Sequence, residues 1–170
     1  KGFSAVGFDT SPEKTEIQLH EVQDSTAGIF IVQTPSLANG SFDNSYLHTA
    51  LQAFKLFAPK NFLYIVTSTT VPGSCDKFRK MVGENIVYKP EFIRLEHVDR
   101  DLLVPAFHLI GEFSSEAGAR AERLYRSIVD VPIKRMSLLE AELAKITLNC
   151  ALTLKISLAN QLHLVAEKVG

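Results

Sequence analysis

From Ser137 to Lys168 nothing in this chain stops a helix. Ser137-Leu138-Leu139-Glu140 has the form of a capping box, in which the serine accepts a first-turn N–H and the glutamate reaches back to the serine's own N–H. No proline or glycine follows until Gly170. The run therefore predicts a rod of about 33 residues, about 50 Å long at the α-helical rise. Apolar residues fall on most of its faces: Leu138, Leu143, Ile146, Leu152, Ile156 and Leu162 among them. A helix apolar nearly all round has to be covered. The residues before it are too few to cover both sides, so the expected cover is another domain or another subunit. Within the rod, Lys145 and Asn149 stand four apart and share a face. A lysine among apolar neighbours is costly to bury, so it either snorkels to water or meets an anion. An ammonium beside an amide can stabilise an oxyanion.

The first 136 residues alternate short apolar runs with helical patterns. Strands are expected at Phe3–Phe8, Gly28–Val32, Phe62–Val66, Ile86–Tyr88, Phe107–Ile110 and Val131–Met136. Between them, Ser11-Pro12-Glu13 reads as a helix start, Asn44–Phe57 has helical spacing, Ser74 can cap a short helix to Val82, and Ser114 or Ser115 one through Ile128. Continuously apolar strands alternating with helices predict an α/β fold with a parallel sheet covered on both faces. No internal repeat or low-complexity segment interrupts the pattern. The division expected is 1–136 as the α/β unit and 137–170 as the helix.

Composition sets outer limits. A chain of 170 residues, 46% hydrophobic, with a formal net charge of −1, supplies one core and offers no generic attraction for nucleic acid or an anionic membrane. No apolar stretch reaches the ~18 residues of a membrane span, and neither a membrane span nor a signal peptide is expected in these residues. The chain opens at Lys1 and closes at Gly170 straight after a helix, so both ends read as cut. Two cysteines, Cys75 and Cys150, cannot form a disulfide framework and read as reduced thiols in the cytoplasm. The five histidines show no ligand spacing, so no metal is expected.

Four segments before the long helix could carry chemistry. Asp9 ends the first expected strand, where an acid can accept hydrogen bonds from ribose hydroxyls or simply close a turn. Gln33-Thr34-Pro35-Ser36 and Thr69-Thr70-Val71-Pro72-Gly73 each follow a strand, at the end of a parallel sheet where ligands sit; turn chemistry also accounts for both. Tyr88-Lys89-Pro90-Glu91-Phe92 sets a carboxylate beside an aromatic ring at a strand end, a setting for acid/base work.

Taken in order with Ala141-Glu142-Leu143-Ala144-Lys145-Ile146-Thr147-Leu148-Asn149, these segments resemble the UDP-glucose/GDP-mannose dehydrogenase family, from near residue 1 to Gly170. The resemblance implies a Rossmann-like, doubly wound, mostly parallel sheet followed by a long interdomain helix at a homodimer interface. It implies NAD as cofactor, a nucleotide sugar as substrate, and two hydride transfers that take a sugar C6 alcohol to a carboxylate for polysaccharide biosynthesis. It assigns Asp9, Thr34 and Thr69 to the cofactor, Thr69 also to a catalytic water, Glu91 to acid/base chemistry, and Lys145 with Asn149 to the oxyanion. The family's cysteine nucleophile and its glycine-rich first turn lie outside this chain, so the chain alone is expected to be inactive.

The chain also departs from the pattern. The family's second glutamate falls at Leu95, with Glu96 one step on; Glu96-His97-Val98 replaces Gly-x-Ala; and Phe107 stands where an arginine is usual, although Asp101 and Pro105 match. These departures keep open a non-catalytic family member acting as a binding or dimerisation module. A hydroxyacid dehydrogenase related to 6-phosphogluconate dehydrogenase is a third reading, against which the Thr-Pro-Ser and Pro-Glu-Phe segments speak.

Overall fold

A computed structural model of the chain describes residues 3–170; the side chains of Leu95 and Asp99 fall outside that description, and with them the expectation placed on Leu95. Five strands form one sheet in sequence order: β1 (Ala27–Phe30), β2 (Leu63–Val66), β3 (Ile86–Tyr88), β4 (His108–Glu112) and β5 (Ile133–Ser137). The helices are α1 (Ser45–Phe57), α2 (Ser74–Val82), the short α3 (Val98–Leu103), α4 (Ser115–Ile128) and α5 (Leu138–Val169).

The sheet is mostly parallel, as expected, with one reversal. β1, β2 and β3 run parallel, β4 runs against β3, and β5 is parallel to β4. The reversal follows from the link of residues 89–107, which turns back along the same edge instead of crossing over. It also explains why both faces are covered. Crossovers of one hand place α1 and α2 on one face while the strands point one way. Once the strand direction flips, the same hand places α4 on the other face.

Alternation along the strands divides the core accordingly. Phe30, Tyr64, Val66, Ile86, Tyr88 and Leu109 pack with α1, α2 and the start of α5, whereas Leu63, Ile65, Val87 and Ile110 pack with Ala117, Ala121 and Tyr125 of α4. Gly111 lets α5 approach the sheet: a Cβ there would stand 2.6 Å from that of Ala141.

The expected first strand is not one. Phe3, Val6 and Phe8 are exposed coil, with Phe3 60% accessible. The run has strand composition, but among the described residues no strand stands beside it; Gly7 accepts from the N–H of Glu16, and Phe8 lies edge-on to Phe54 at 5.4 Å. The helix expected from Ser11 is a single 3-10 turn, Pro12–Lys14, followed by a six-residue 3-10 helix at Leu19–Asp24. At the other end the capping box forms: Ser137 Oγ accepts the Glu140 N–H at 3.3 Å, and the Glu140 carboxylate accepts the Ser137 N–H at 2.8 Å. From Thr147 onward every residue of α5 is exposed. Among the described residues, no helix is long and apolar enough to cross a membrane.

Candidate functional site

Register brings three of the candidate residues to one edge of the sheet. Phe30 pairs with Val66 and Val66 with Tyr88, so β1, β2 and β3 end at one edge and release three loops there. These carry Thr34, Thr69 and Glu91. The first two loops are stapled together by Ser68, whose hydroxyl accepts from the Val32 N–H and donates to the Val32 carbonyl, both at 2.8 Å. Thr67 reinforces the staple by donating to the Phe30 carbonyl at 3.0 Å. Thr34 and Thr69 remain half-buried beside it.

The third loop meets α5. Lys145 Nζ donates to the backbone carbonyl of Glu91 at 2.7 Å and lies 5.2 Å from the centre of the Phe92 ring. Burial pushes the Lys145 ammonium down from its usual pKa, and the Glu91 charge pulls it partly back. The Glu91 carboxylate itself pairs with Lys89, which is 1% exposed. Lys89 Nζ also sits 4.5 Å from the centre of the Tyr125 ring, and Tyr125 in turn packs against His108 at 5.1 Å. Lys89 is likewise held below its ordinary pKa by burial, opposed by Glu91. Burial, with Lys89 nearby, pulls His108 down to about 4, so its imidazole is neutral. Phe107, at the start of β4, packs on Phe92 at 5.5 Å.

One turn before Lys145, Glu142 is fully buried and reaches the loop after β2. Its carboxylate accepts from Thr70 Oγ1 at 3.0 Å, the Gly73 N–H at 2.7 Å and the Cys75 N–H at 2.8 Å. The expected cap of α2 is thus corrected. Gly73, with φ 89°, is the N-cap; Ser74 Oγ instead accepts from Asn44, and the anion at this helix start comes from α5. A helix N-terminus is a ready phosphate site, but this one is filled by the chain's own carboxylate. Glu142 carries no evident role in the sequence alone. Its one signal was an acid among apolar residues, one turn from Lys145.

Other expected residues lie apart. Asp9 does not end a strand; it is exposed, and its carboxylate accepts the Ser11 N–H at 2.8 Å, the turn-closing alternative. Asn149 sits one turn beyond Lys145 on α5 and is exposed. The loop after Glu91 folds back on itself through Arg94, whose guanidinium grips Asp101 at 2.8 and 2.9 Å and holds that carboxyl well below the usual range. Cys75 is buried, and its thiol is pushed well up by burial and by the Glu142 charge, the reverse of what a nucleophile needs. Cys150 is exposed on α5. Among the described residues no cluster of histidines, cysteines and carboxylates could hold a metal.

Residues 11–129 match the NAD-binding domain of the UDP-glucose/GDP-mannose dehydrogenase family. The chain belongs to that family. It is 29% identical over 163 residues to UDP-glucose 6-dehydrogenase of Rickettsia bellii, a match covering 92% of this chain and 38% of that protein. It is 29% identical to GDP-mannose 6-dehydrogenase of Pseudomonas aeruginosa, over 88% of this chain and 37% of that one. Among solved structures, the UDP-D-ManNAc dehydrogenase of Pyrococcus horikoshii superposes with a TM-score of 0.85 at 25% identity, over 97% of this chain and 45% of that one. The chain thus spans less than half the length of these relatives.

NAD is the cofactor of this dehydrogenase family. The half-buried hydroxyls of Thr34 and Thr69, at the ends of two adjacent parallel strands, suit the polar edge of such a ligand. The pyrophosphate finds no counterpart at α2, whose first N–H groups are taken by Glu142.

Proposed function

We propose that the chain is the NAD-binding part of a nucleotide-sugar dehydrogenase that takes a sugar C6 alcohol to a carboxylate. The observation that supports this most is the meeting of Glu91 and Lys145, from segments 54 residues apart, at the edge where Thr34 and Thr69 also emerge. Bound NAD would supply the hydride acceptor, two equivalents in turn for the two oxidation steps, and a water the second carboxylate oxygen. Thr34 and Thr69 hold the cofactor, and the Thr69 hydroxyl orients a water. Glu91 takes and returns the proton of the substrate oxygen. Lys145 has one of its three donors engaged by the Glu91 carbonyl, which leaves two for an oxyanion, and Asn149 adds its amide. Asp9 is not carried into this reading, because it is neither at a strand end nor free of its turn. In the same reading residues 1–136 form the cofactor unit and 137–170 the connecting helix. A second copy of the chain covers the apolar outer half of α5, and the protein works in the cytoplasm. A non-catalytic family member is the second reading; it is favoured by Phe107, which packs on Phe92 where the family's arginine is usual.

The test is a thermal-shift titration with NAD, then NADH formation with UDP-glucose, a UDP-N-acetyl sugar and GDP-mannose. A ligand bound only by the folded state at 100 times its Kd adds about 2.7 kcal/mol. The chain of 170 residues should shift with NAD without turnover, since neither of its cysteines suits the nucleophile's role. The full-length protein should form NADH. No shift with NAD overturns the cofactor role, and binding without turnover in the full-length protein favours the second reading.

A further inference from the structure

Lys89 is a fully buried cation that the proposed chemistry leaves without a task. It sits at the end of β3, with no solvent to stabilise its charge. Its ammonium is held by the Glu91 carboxylate on one side and the face of Tyr125 on the other. Glu91 has two ammonium groups within reach, and they divide it. Lys89 takes the carboxylate, whereas Lys145 takes only the backbone carbonyl. That division matters, because a carboxylate paired with Lys145 would compete with any substrate oxygen for the same donors. The other ionisable groups around Lys89 do not offer it a negative charge: His108 from β4 is neutral, and burial keeps Tyr125 from α4 in its phenol form.

We propose that Lys89 is a positioning residue of the dehydrogenase site, which holds the Glu91 carboxylate turned away from Lys145 and so keeps the Lys145 ammonium open to the substrate oxygen. The inference rests on the dehydrogenase reading above, and it gives the Lys89–Glu91 pair a kinetic consequence rather than a purely structural one. Removing the cation releases Glu91, whose charge already acts on the Lys145 ammonium.

The experiment compares Lys89→Met, Lys89→Gln and Lys89→Arg in the full-length protein, alone and with Glu91→Gln, measuring kcat and KM for NADH formation. Lys89→Met and Lys89→Gln should lower kcat by about tenfold or more while KM for NAD stays within about twofold, the pattern of a lost transition-state interaction. Lys89→Arg, which keeps the charge, should recover most of the rate. In the Glu91→Gln background the Lys89 changes should cost little more, since there is no carboxylate left to misplace. A crystal structure of Lys89→Gln should show the Glu91 carboxylate on Lys145. Unchanged kcat with a lowered melting temperature, or fully additive losses in the double variants, would overturn the proposal and leave the dehydrogenase reading standing. No turnover by the unsubstituted protein would instead overturn the reading on which the proposal rests. An unmoved Glu91 carboxylate in that crystal structure refutes the positioning role whatever the kinetics.

Discussion

Replacing Glu142 should loosen α5 from the sheet. The side chain is fully buried and accepts three hydrogen bonds from the loop after β2: from a hydroxyl and from the backbone N–H groups of Gly73 and Cys75. In Glu142→Ala both N–H groups lose their acceptor, at about 1–3 kcal/mol each. The carboxylate's favourable charge at the start of α2 goes too, worth up to about 1 kcal/mol. Water entering the vacated space returns part of this, so the expected loss is about 3–5 kcal/mol. Glu142→Gln keeps the volume and one carbonyl oxygen, but it turns an N–H₂ toward a donor. Its expected loss is smaller, about 1–2 kcal/mol. Urea unfolding followed by circular dichroism measures both, and an unchanged m-value shows that the folded state has kept its compactness. The ordering is as informative as the size. If Ala and Gln cost the same, the charge and not the hydrogen-bond geometry holds the contact. A loss below about 0.5 kcal/mol for Ala would refute the reasoning, because it would mean that α2 and α5 are not tied through this carboxylate at all.

Three further outcomes follow from the same contacts. His108 is pulled down to about 4 from an ordinary 6.5, so the unfolded chain binds the extra proton between those values. Stability is full above about pH 6.5 and falls as pH drops toward 4, by about 2–3 kcal/mol from this residue; His108→Phe should flatten that part of a pH-stability curve, and an identical curve would refute it. Gly111→Ala should destabilise by about 1–3 kcal/mol through overpacking, since the new methyl meets Ala141 Cβ at 2.6 Å and Leu138 Cα at 3.2 Å; thermal unfolding reads the loss. Ser137→Ala should cost about 1 kcal/mol by removing the α5 cap, with Ser137→Gly costing less.

What the sequence displayed was periodicity and punctuation, and these gave the elements their places. The continuous apolar runs of β2 and β3, the helical spacing of α1 and the Ser137–Glu140 box all fall within a residue or two of where they form. Strand direction was not legible. Nothing in the composition of residues 89–107 says whether that link crosses over or turns back, yet it decides which face α4 covers. Phe3–Phe8 failed for a related reason: an apolar run becomes a strand only where another strand offers it hydrogen bonds, and none stands beside it among the described residues. The placing of the candidate residues was legible where it depended on backbone topology. Thr34, Thr69 and Glu91 all follow parallel strands, and parallel strands deliver their loops to one edge. It was not legible where it depended on which charge meets which. Glu142 and Lys145 are three apart on one helix, a spacing at which opposite charges can pair. Instead each leaves the helix, Glu142 for N–H groups near residue 73 and Lys145 for a carbonyl at residue 91. Both choices have one physical origin. A buried charge is stable only with dipoles or counter-charges aimed at it, and the loop ends at a sheet edge supply free N–H and carbonyl groups of both signs. The two charged residues therefore fasten α5 to two successive strand ends, and beyond Lys145 the helix leaves the sheet with its apolar faces still uncovered.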